Sequence, residues 1–384
     1  MSPSELEFAR HVDALAADPR RRDELLALGR ENHEIYAGHG AAAIVRMRGW
    51  LLCALARTRV CETAELYALE ELDTGIEPYL VAAAARLLRQ SDPPRPMFAP
   101  IVLQAIANIR YRDAPVAFGR YGDDGLGGEA GTAVEELLTT LAWIGPYARD
   151  VLGGIESLHP ASGGLPARYR RAVERAIARA KAGKVESARQ SRCCCGSEHG
   201  QAETVEHADA AMIGSVTFED HAGAPVGFGE YFQATPSIVC FFYTRCDNPL
   251  KCSLTITKLG RVQELLRQRG LERGIRTAAI TYDPWVDTPD RMRRYAEGRG
   301  VRLSDDHRML RTIDGMDAVR RYFELGVNYH ESIVNRHRLE VYVLAAGGEI
   351  VSRFLRVHWD EGAVVDRAMQ ELASADRAAA PGSR

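Results

Sequence analysis

The chain has 384 residues, of which 46% are hydrophobic and 26% are charged, and its formal net charge is −3. A chain of this length usually forms more than one domain, and this composition is that of a soluble globular protein. The charge gives no general attraction to nucleic acids or anionic membranes, so neither is an expected partner. The chain has no run of transmembrane length and no secretory pattern at its N-terminus. We therefore expect a cytoplasmic protein without a membrane segment.

Residues 1–180 are predicted to form an all-α domain, because apolar residues recur at helical spacing throughout. The segments are GAAAIVRMRGWLLCALART, CETAELYALEEL, EPYLVAAAARLLRQ, FAPIVLQAIANI, GTAVEELLTTLAWI and PARYRRAVERAIARAKAG. Alanine-rich helix pairs in series are typical of a HEAT-like α-solenoid. Such a domain has no chemistry of its own, so we expect it to bind a protein partner. Cys53 and Cys61 lie in these helices and are expected to be buried.

Residues 181–212 have the small, polar and charged composition of a linker. This linker contains Cys193, Cys194 and Cys195, with His199 downstream. Adjacent thiols are poor disulfide partners for each other but good ligands for Cu(I) or Zn(II). Cys193, Cys195 and His199 are therefore a candidate metal site. The alternatives are an incidental cysteine-rich segment or a resolving thiol.

Residues 213–375 alternate strands with helices, which predicts an α/β thioredoxin-like domain. The predicted strands are GSVTFED, SIVCFFYT, RTAAITYD, LEVYVLA and EIVSRFLR. Helices are predicted from about Cys252 to Gly270 and in TPDRMRRYAEGRG, MDAVRRYFELG and DEGAVVDRAMQELASA. Residues 376–384 are expected to be a disordered tail.

Two cysteines lie where the second predicted strand meets the next helix. Cys246 follows the strand, and Cys252 falls in the first turn of the helix. A helix N-terminus lowers the pKa of a nearby thiol and favours its thiolate. The loop between the cysteines lets the sulfurs meet as a disulfide or converge on one ion. The alternative is two unrelated thiols. Cys240, within the apolar strand, is expected to lie in the core.

Three segments resemble the SCO/SenC family of thioredoxin-like copper proteins. FFYTRCDNPLKCSLTITKLGRVQELL is similar to the family's cysteine-pair segment, and TYDPWVDTPDRMRRYAEGRG to its Asp-Pro…Asp-Thr-Pro segment. NRHRLEVYVLAAGGEIV resembles the segment in which a histidine precedes a strand and hairpin. The resemblance covers about residues 213–375, with the motifs in the family's order, and does not extend to the helical domain.

This resemblance implies a copper site made of Cys246, Cys252 and His337. Two thiolates with one imidazole suit Cu(I), and they accommodate Cu(II) with a weak further ligand. Independently of the resemblance, the same cysteine pair is the candidate for any thiol redox chemistry. The cysteines of the linker would capture copper and pass it to this pair.

Three aspartates are candidates for positions beside the site, where they would tune a thiol or orient a ligand. They are Asp247, Asp283 and Asp287. The sequence departs from many relatives at Asp247 and Ser253, where these have prolines. It also lacks the membrane anchor or export signal of these relatives. The best-known members deliver copper to a respiratory oxidase, and without such a signal this sequence does not support that oxidase as the partner. The client protein is therefore unassigned.

The leading interpretation is a copper-binding metallochaperone or a thiol reductant of a copper site. The second is a thiol–disulfide oxidoreductase or peroxidase without a metal. Thr244 lies two residues before Cys246, whereas peroxidases of this fold place a threonine three before, where Tyr243 stands here. A disulfide reductase would have a two-residue cysteine spacing. The third is a scaffold whose functional part is the helical domain.

Overall fold

The computed structural model describes residues 3–123, 131–182, 212–233 and 235–379. The chain divides into two compact units, Met1–Gly196 and Ser197–Arg384. Among the described residues, no helix is long and apolar enough to cross a membrane.

The N-terminal unit is built from α-helices joined by short turns. The helices are α1 (Glu5–Ala17), α2 (Arg22–Ala27), α3 (Ala41–Leu55), α4 (Glu62–Thr74), α5 (Pro78–Leu88), α6 (Phe98–Ile109), α7 (Ala133–Ile144), α8 (Leu152–Ser157) and α9 (Arg170–Lys181). Helix α3 packs beside α1 and α5, α5 beside α7, and α7 beside α9, while α4 packs beside α5 and α6. The all-α prediction is confirmed, but this packing does not establish a HEAT-type solenoid.

Local sequence explains where two of these helices begin. The Ser4 hydroxyl accepts a bond from the Glu7 N–H at 3.3 Å, and the Glu7 carboxylate accepts one from the Ser4 N–H at 2.7 Å. Thr132 and Glu135 form the same reciprocal capping box at the start of α7. These bonds satisfy backbone donors that the first turn of a helix leaves unpaired. Cys53 is buried in the core, as predicted.

The C-terminal unit contains a mixed seven-stranded sheet and a separate hairpin. The strands are β1 (Thr217–Asp220), β2 (Pro225–Gly227), β3 (Ser237–Phe242), β4 (Arg276–Thr281), β5 (His307–Thr312), β6 (Val327–His330), β7 (Ile333–His337), β8 (Glu340–Leu344) and β9 (Ile350–Leu355). The sheet order is β2-β1-β5-β4-β3-β8-β9. Strands β3, β4 and β5 are parallel, the other neighbours are antiparallel, and β6 pairs with β7 alone. This is the α/β thioredoxin-like arrangement that the sequence predicts.

Helices follow most of these strands. They are α10 (Phe228–Phe232), α11 (Leu254–Gln268), α12 (Pro289–Glu297), α13 (Met316–Tyr322) and α14 (Glu361–Ala379). Helices α11 and α14 pack against each other and against β3, while α12 packs against β5. The parallel strands therefore deliver the loops at their carboxyl ends to one edge of the sheet.

The structure adds to the sequence prediction and corrects it in two places. All five predicted strands are present, and β2, β5, β6 and β7 were not predicted. A π-helical turn, Pro249–Ser253, precedes α11, so Cys252 lies in that turn and the α-helix begins two residues later. Helix α14 continues to Ala379, so residues 376–379 are helical and not part of a disordered tail.

Strand β3 lies at the centre of the core and leads directly into the cysteine loop. Every residue of β3 is buried, including Cys240 as predicted. The ring of Phe241 contacts those of Tyr282, Phe323 and Tyr342, with centroids 5.0–5.8 Å apart. Aromatic clusters of this kind contribute a large part of core stability.

Replacing Phe241 with alanine is expected to destabilise the C-terminal unit by about 3–5 kcal/mol, because it removes a buried ring and leaves a cavity. Urea unfolding followed by circular dichroism measures this change. The matched control is Trp285→Ala, since that indole is 83% exposed. The control should change the free energy of unfolding by less than about 0.5 kcal/mol. Equal effects of the two substitutions would contradict the assignment of Phe241 to the core.

Candidate metal centre

Three side chains from separate elements meet at the edge of the sheet. Cys246 lies in the loop after β3, Cys252 in the π-helical turn, and His337 at the end of β7. The Nε2 atom of His337 is 3.5 Å from Sγ of Cys246 and 3.4 Å from Sγ of Cys252. These three ligand atoms all lie within 4.8 Å of one another. Across the described ranges, no other group of three His, Cys, Asp or Glu side chains is arranged to hold a metal ion.

The loop between the cysteines folds back because its residues form a wide turn. The Asn248 side chain accepts a bond from the backbone N–H of Leu250 at 2.9 Å and so caps the turn, which starts at Pro249. The turn buries Cys252 completely, whereas Cys246 remains partly exposed. The two sulfurs therefore differ in their access to solvent.

One backbone hydrogen bond orients the imidazole of His337. Its Nδ1 lies 3.0 Å from the carbonyl oxygen of Arg338. A carbonyl can only accept, so Nδ1 carries the proton and the lone pair of Nε2 points at the sulfurs. The rings of Tyr243 and Tyr282 pack against the imidazole, with centroids 5.4 and 5.3 Å away. The imidazole is thus held in the tautomer that binds metals through Nε2.

The two thiols have opposite pKa shifts. The hydrogen bond from the Cys252 thiol lowers the pKa of Cys246 to about 3. Burial raises the pKa of Cys252 well above its ordinary value. The sequence suggests that the helix start lowers the pKa of the thiol nearest to it, but burial of Cys252 outweighs that effect. The pair therefore holds one thiolate, on Cys246, and one proton, on Cys252.

Two predicted aspartates hold the residues that precede Cys246. The carboxylate of Asp283 accepts a bond from Nη2 of Arg245 at 2.6 Å. The carboxylate of Asp287 accepts one from the backbone N–H of Thr244 at 3.1 Å. Both aspartates are buried, and burial raises the pKa of Asp287. They position the cysteine loop and do not contribute to the three-ligand cluster.

Two further predictions concern Asp247 and the linker residues. Asp247 is exposed beside the cluster. Cys193, Cys195 and His199, the candidate site of the linker, lie outside the described residues.

Two residues beside the site were not predicted. Nζ of Lys251 donates to the carbonyl oxygen of His337 at 2.7 Å. The buried carboxylate of Glu340 accepts bonds from Tyr282 Oη at 2.5 Å and from Nε of Arg338 at 2.7 Å. The one sequence signal for Glu340 is a charged residue at the start of an apolar strand, and Lys251 has no such signal.

Comparison with known proteins identifies the family. Residues 205–372 match the SCO1/SenC family model. The C-terminal unit belongs to the SCO1/SenC family. No curated protein matched the sequence.

Several solved structures resemble the family domain. BsSco, described as a member of the Sco family of cytochrome c oxidase assembly proteins with a disulfide switch, is 16% identical; the match covers 41% of this chain and 91% of BsSco, with a TM-score of 0.36. Arabidopsis thaliana ScoI with copper bound is 17% identical over 42% of this chain and 99% of its own, with a TM-score of 0.35. Yeast Sco1 with copper bound is 20% identical over 44% and 96%, with a TM-score of 0.34.

Because a thiolate is the reactive form of cysteine, Cys246 is expected to react with iodoacetamide at a rate that is nearly independent of pH between about 5 and 8. Cys252→Ala removes the donor that lowers the Cys246 pKa, so it should slow alkylation most at the low end of this range. Peptide mapping by mass spectrometry assigns the label to Cys246. Buried Cys240 serves as an internal control and should remain unlabelled. A Cys246 rate that rises tenfold per pH unit up to about pH 8 would contradict the low pKa.

Proposed function

We propose that the C-terminal unit binds a copper ion through Cys246, Cys252 and His337 and transfers it to a protein partner as a metallochaperone. The observation that carries this proposal is the convergence of two sulfurs and an imidazole Nε2 within 4.8 Å. Soft thiolate ligands with one imidazole select Cu(I) over hard cations such as Mg²⁺ or Ca²⁺. The donor set and the fixed imidazole tautomer therefore fit copper.

The protonation of the two thiols suits such a role. Cys246 is already a thiolate, whereas Cys252 retains a proton that must leave when a metal ion binds both sulfurs. Nδ1 of His337 faces the Arg338 carbonyl, so Nε2 is the ring atom that would act as ligand. Binding of Cu(I) to both sulfurs would therefore release the proton of Cys252.

A thiol–disulfide oxidoreductase is the second candidate, favoured by the partly exposed thiolate next to a buried thiol. In this reaction the Cys246 thiolate attacks one sulfur of a substrate disulfide and displaces the other as a thiolate. The Cys252 thiol then gives up its proton and attacks Cys246, which releases the second substrate thiol. The substrate gains two electrons, and the chain is left with a Cys246–Cys252 disulfide. Reducing the cysteines of a copper site in a partner would be one such reaction.

We propose that the N-terminal unit is HEAT-like and binds the protein partner. Support comes from the serial packing of α3, α5, α7 and α9, which is the order that stacked helix pairs produce. An experimental structure in which successive helix pairs are not related by a regular rotation would contradict this part of the proposal.

Titration of the reduced protein with Cu(I) against a chromophoric chelator tests the copper site. Cys246→Ala, Cys252→Ala and His337→Ala each remove a ligand, so each should weaken binding more than the roughly 10- to 100-fold typical of a residue that only supports a ligand. Cys53→Ala, a buried cysteine of the N-terminal unit, is the matched control and should bind as the wild type does. Unchanged affinity in all three ligand variants would refute the proposed site.

The same titration tests the linker. We propose that Cys193 and Cys195, with His199, capture copper and pass it to the cysteine pair. Replacing residues 193–195 with alanine should then lower the copper stoichiometry or the loading rate. If neither changes, the linker has no part in copper capture.

Oxidation is expected to switch the site off, because a Cys246–Cys252 disulfide leaves no thiolate to bind the metal. Peptide mapping of protein treated with oxidised glutathione should show this disulfide, and the oxidised protein should bind no Cu(I) at these residues. Cys252→Ser should instead form a mixed disulfide with glutathione at Cys246. Full Cu(I) affinity after oxidation would show that the two thiols do not form the site together.

A further inference from the structure

We propose that Glu340 is a positioning residue that holds the imidazole of His337 with Nε2 facing both sulfurs. Glu340 is not one of the three ligands, so its effect on metal binding passes through the histidine. For its consequence on copper affinity, this inference rests on the proposed copper site, while the orientation of the ring is also measurable without copper.

The carboxylate of Glu340 is buried beside the histidine. Glu340 lies at the start of β8, three residues after His337, and is 1% exposed. A carboxylate without water depends on hydrogen-bond donors of the protein. One oxygen, Oε2, accepts a bond from Oη of Tyr282 at 2.5 Å. The other, Oε1, accepts one from Nε of Arg338 at 2.7 Å and one from the backbone N–H of Gly326 at 2.7 Å.

The two side chains that Glu340 holds are those that orient the imidazole. The ring of Tyr282 packs against His337, with centroids 5.3 Å apart. The carbonyl oxygen of Arg338 lies 3.0 Å from Nδ1 of His337. A single carboxylate therefore fixes both the ring that supports the imidazole and the residue that supplies its hydrogen-bond acceptor.

Arg338 is also enclosed by the chain at residues 324–326. Its backbone N–H donates to the carbonyl oxygen of Gly326 at 2.9 Å, and its Nη2 donates to that of Glu324 at 2.7 Å. A Cβ atom at position 326 would lie 2.6 Å from Cδ of Arg338, so the side chain passes directly over the glycine. This close packing leaves the arginine, and with it the carbonyl that faces Nδ1, little freedom to move.

A buried carboxylate also attracts a metal ion through its charge, which is a different way to affect affinity. The ion pair of Glu340 with Arg338, at 2.7 Å, offsets much of that charge and favours the positioning role. The two explanations differ in one respect. Positioning acts only when His337 is present, whereas an effect of charge remains when the histidine is removed.

A double-mutant cycle separates them. Glu340→Gln keeps the shape of the side chain but replaces one acceptor oxygen with a donor, and it is made alone and together with His337→Ala. Two thiolates remain in His337→Ala, so its weaker Cu(I) binding is measured with a weaker competing chelator. Every protein is full length and carries alanine at residues 193–195, so that the linker contributes no thiols. Circular dichroism verifies that each variant is folded.

The matched control is Asp220→Asn, which also changes a buried carboxylate that is paired with an arginine. Asp220 is 4% exposed and lies 2.9 Å from Nη1 of Arg308. It is on β1, which three other strands separate from β8 in the sheet. Its Cu(I) affinity should equal that of the protein without this change.

Glu340→Gln is expected to weaken Cu(I) binding by about 10- to 100-fold when His337 is present, as is typical of a residue that supports a ligand. In the His337→Ala background the same change should alter the affinity by less than about twofold. Tyr282→Phe keeps the ring and removes the hydroxyl, so it should show a smaller loss with the same dependence on His337. It gives the answer if Glu340→Gln does not fold.

The orientation of the ring is measured in the reduced, metal-free protein by ¹⁵N NMR of the His337 ring nitrogens. The wild type should show one form, with the proton on Nδ1. Glu340→Gln should show exchange between this form and the one with the proton on Nε2, because the imidazole is no longer held in place.

Three results would overturn the inference. They are an equal loss of affinity with and without His337, an unchanged affinity in Glu340→Gln, and a single form protonated on Nδ1 in that variant. If the wild type itself binds no copper, the proposed function fails, and the NMR comparison still decides whether Glu340 orients His337.

Discussion

The site depends on the hydrogen bond between Nδ1 of His337 and the carbonyl of Arg338. This bond fixes which nitrogen carries the proton and thereby directs a lone pair toward two sulfurs. Other contacts limit movement of the ring: Tyr243 packs against it edge-on, and Tyr282 packs against it at a tilt. The Tyr282 hydroxyl is itself held by Glu340. A buried polar network of this kind keeps a ligand in one orientation before any metal arrives.

The two candidate chemistries share one starting state. A thiolate on Cys246 with a proton on Cys252 is ready to take up a soft metal ion and equally ready to attack a disulfide. Each outcome excludes the other, because a disulfide removes both sulfur ligands. Copper binding and disulfide formation would therefore be mutually exclusive reactions of the same site.

Much of this unit was predictable from the sequence, because apolar runs mark β3, β4 and β8 and their neighbours in the chain are helical. Strand β5 was not predicted, since HRMLRT has only two adjacent apolar residues between pairs of polar ones and shows neither an apolar run nor an alternating pattern. The hairpin of β6 and β7 has no strong turn signal.

Cys246, Cys252 and His337 were found through motif order and ligand chemistry. The opposite pKa shifts of the thiols were not predictable, because they depend on which sulfur is buried, and Lys251 was missed because its role depends on a contact with a distant strand.

The unequal exposure of the two cysteines has a consequence for exchange with another protein. Cys252 and His337 are buried, and only Cys246 reaches the surface. In the proposed transfer, an incoming copper ion would bind Cys246 first, while still held by the donor's ligands, and would gain the two buried ligands only as it leaves the donor. When the ion is released, the order would reverse, and Cys246 would be the last ligand to dissociate from it. Cys246 is the only one of the three ligands that is accessible from solvent, so its sulfur would take part in every exchange of copper with a partner.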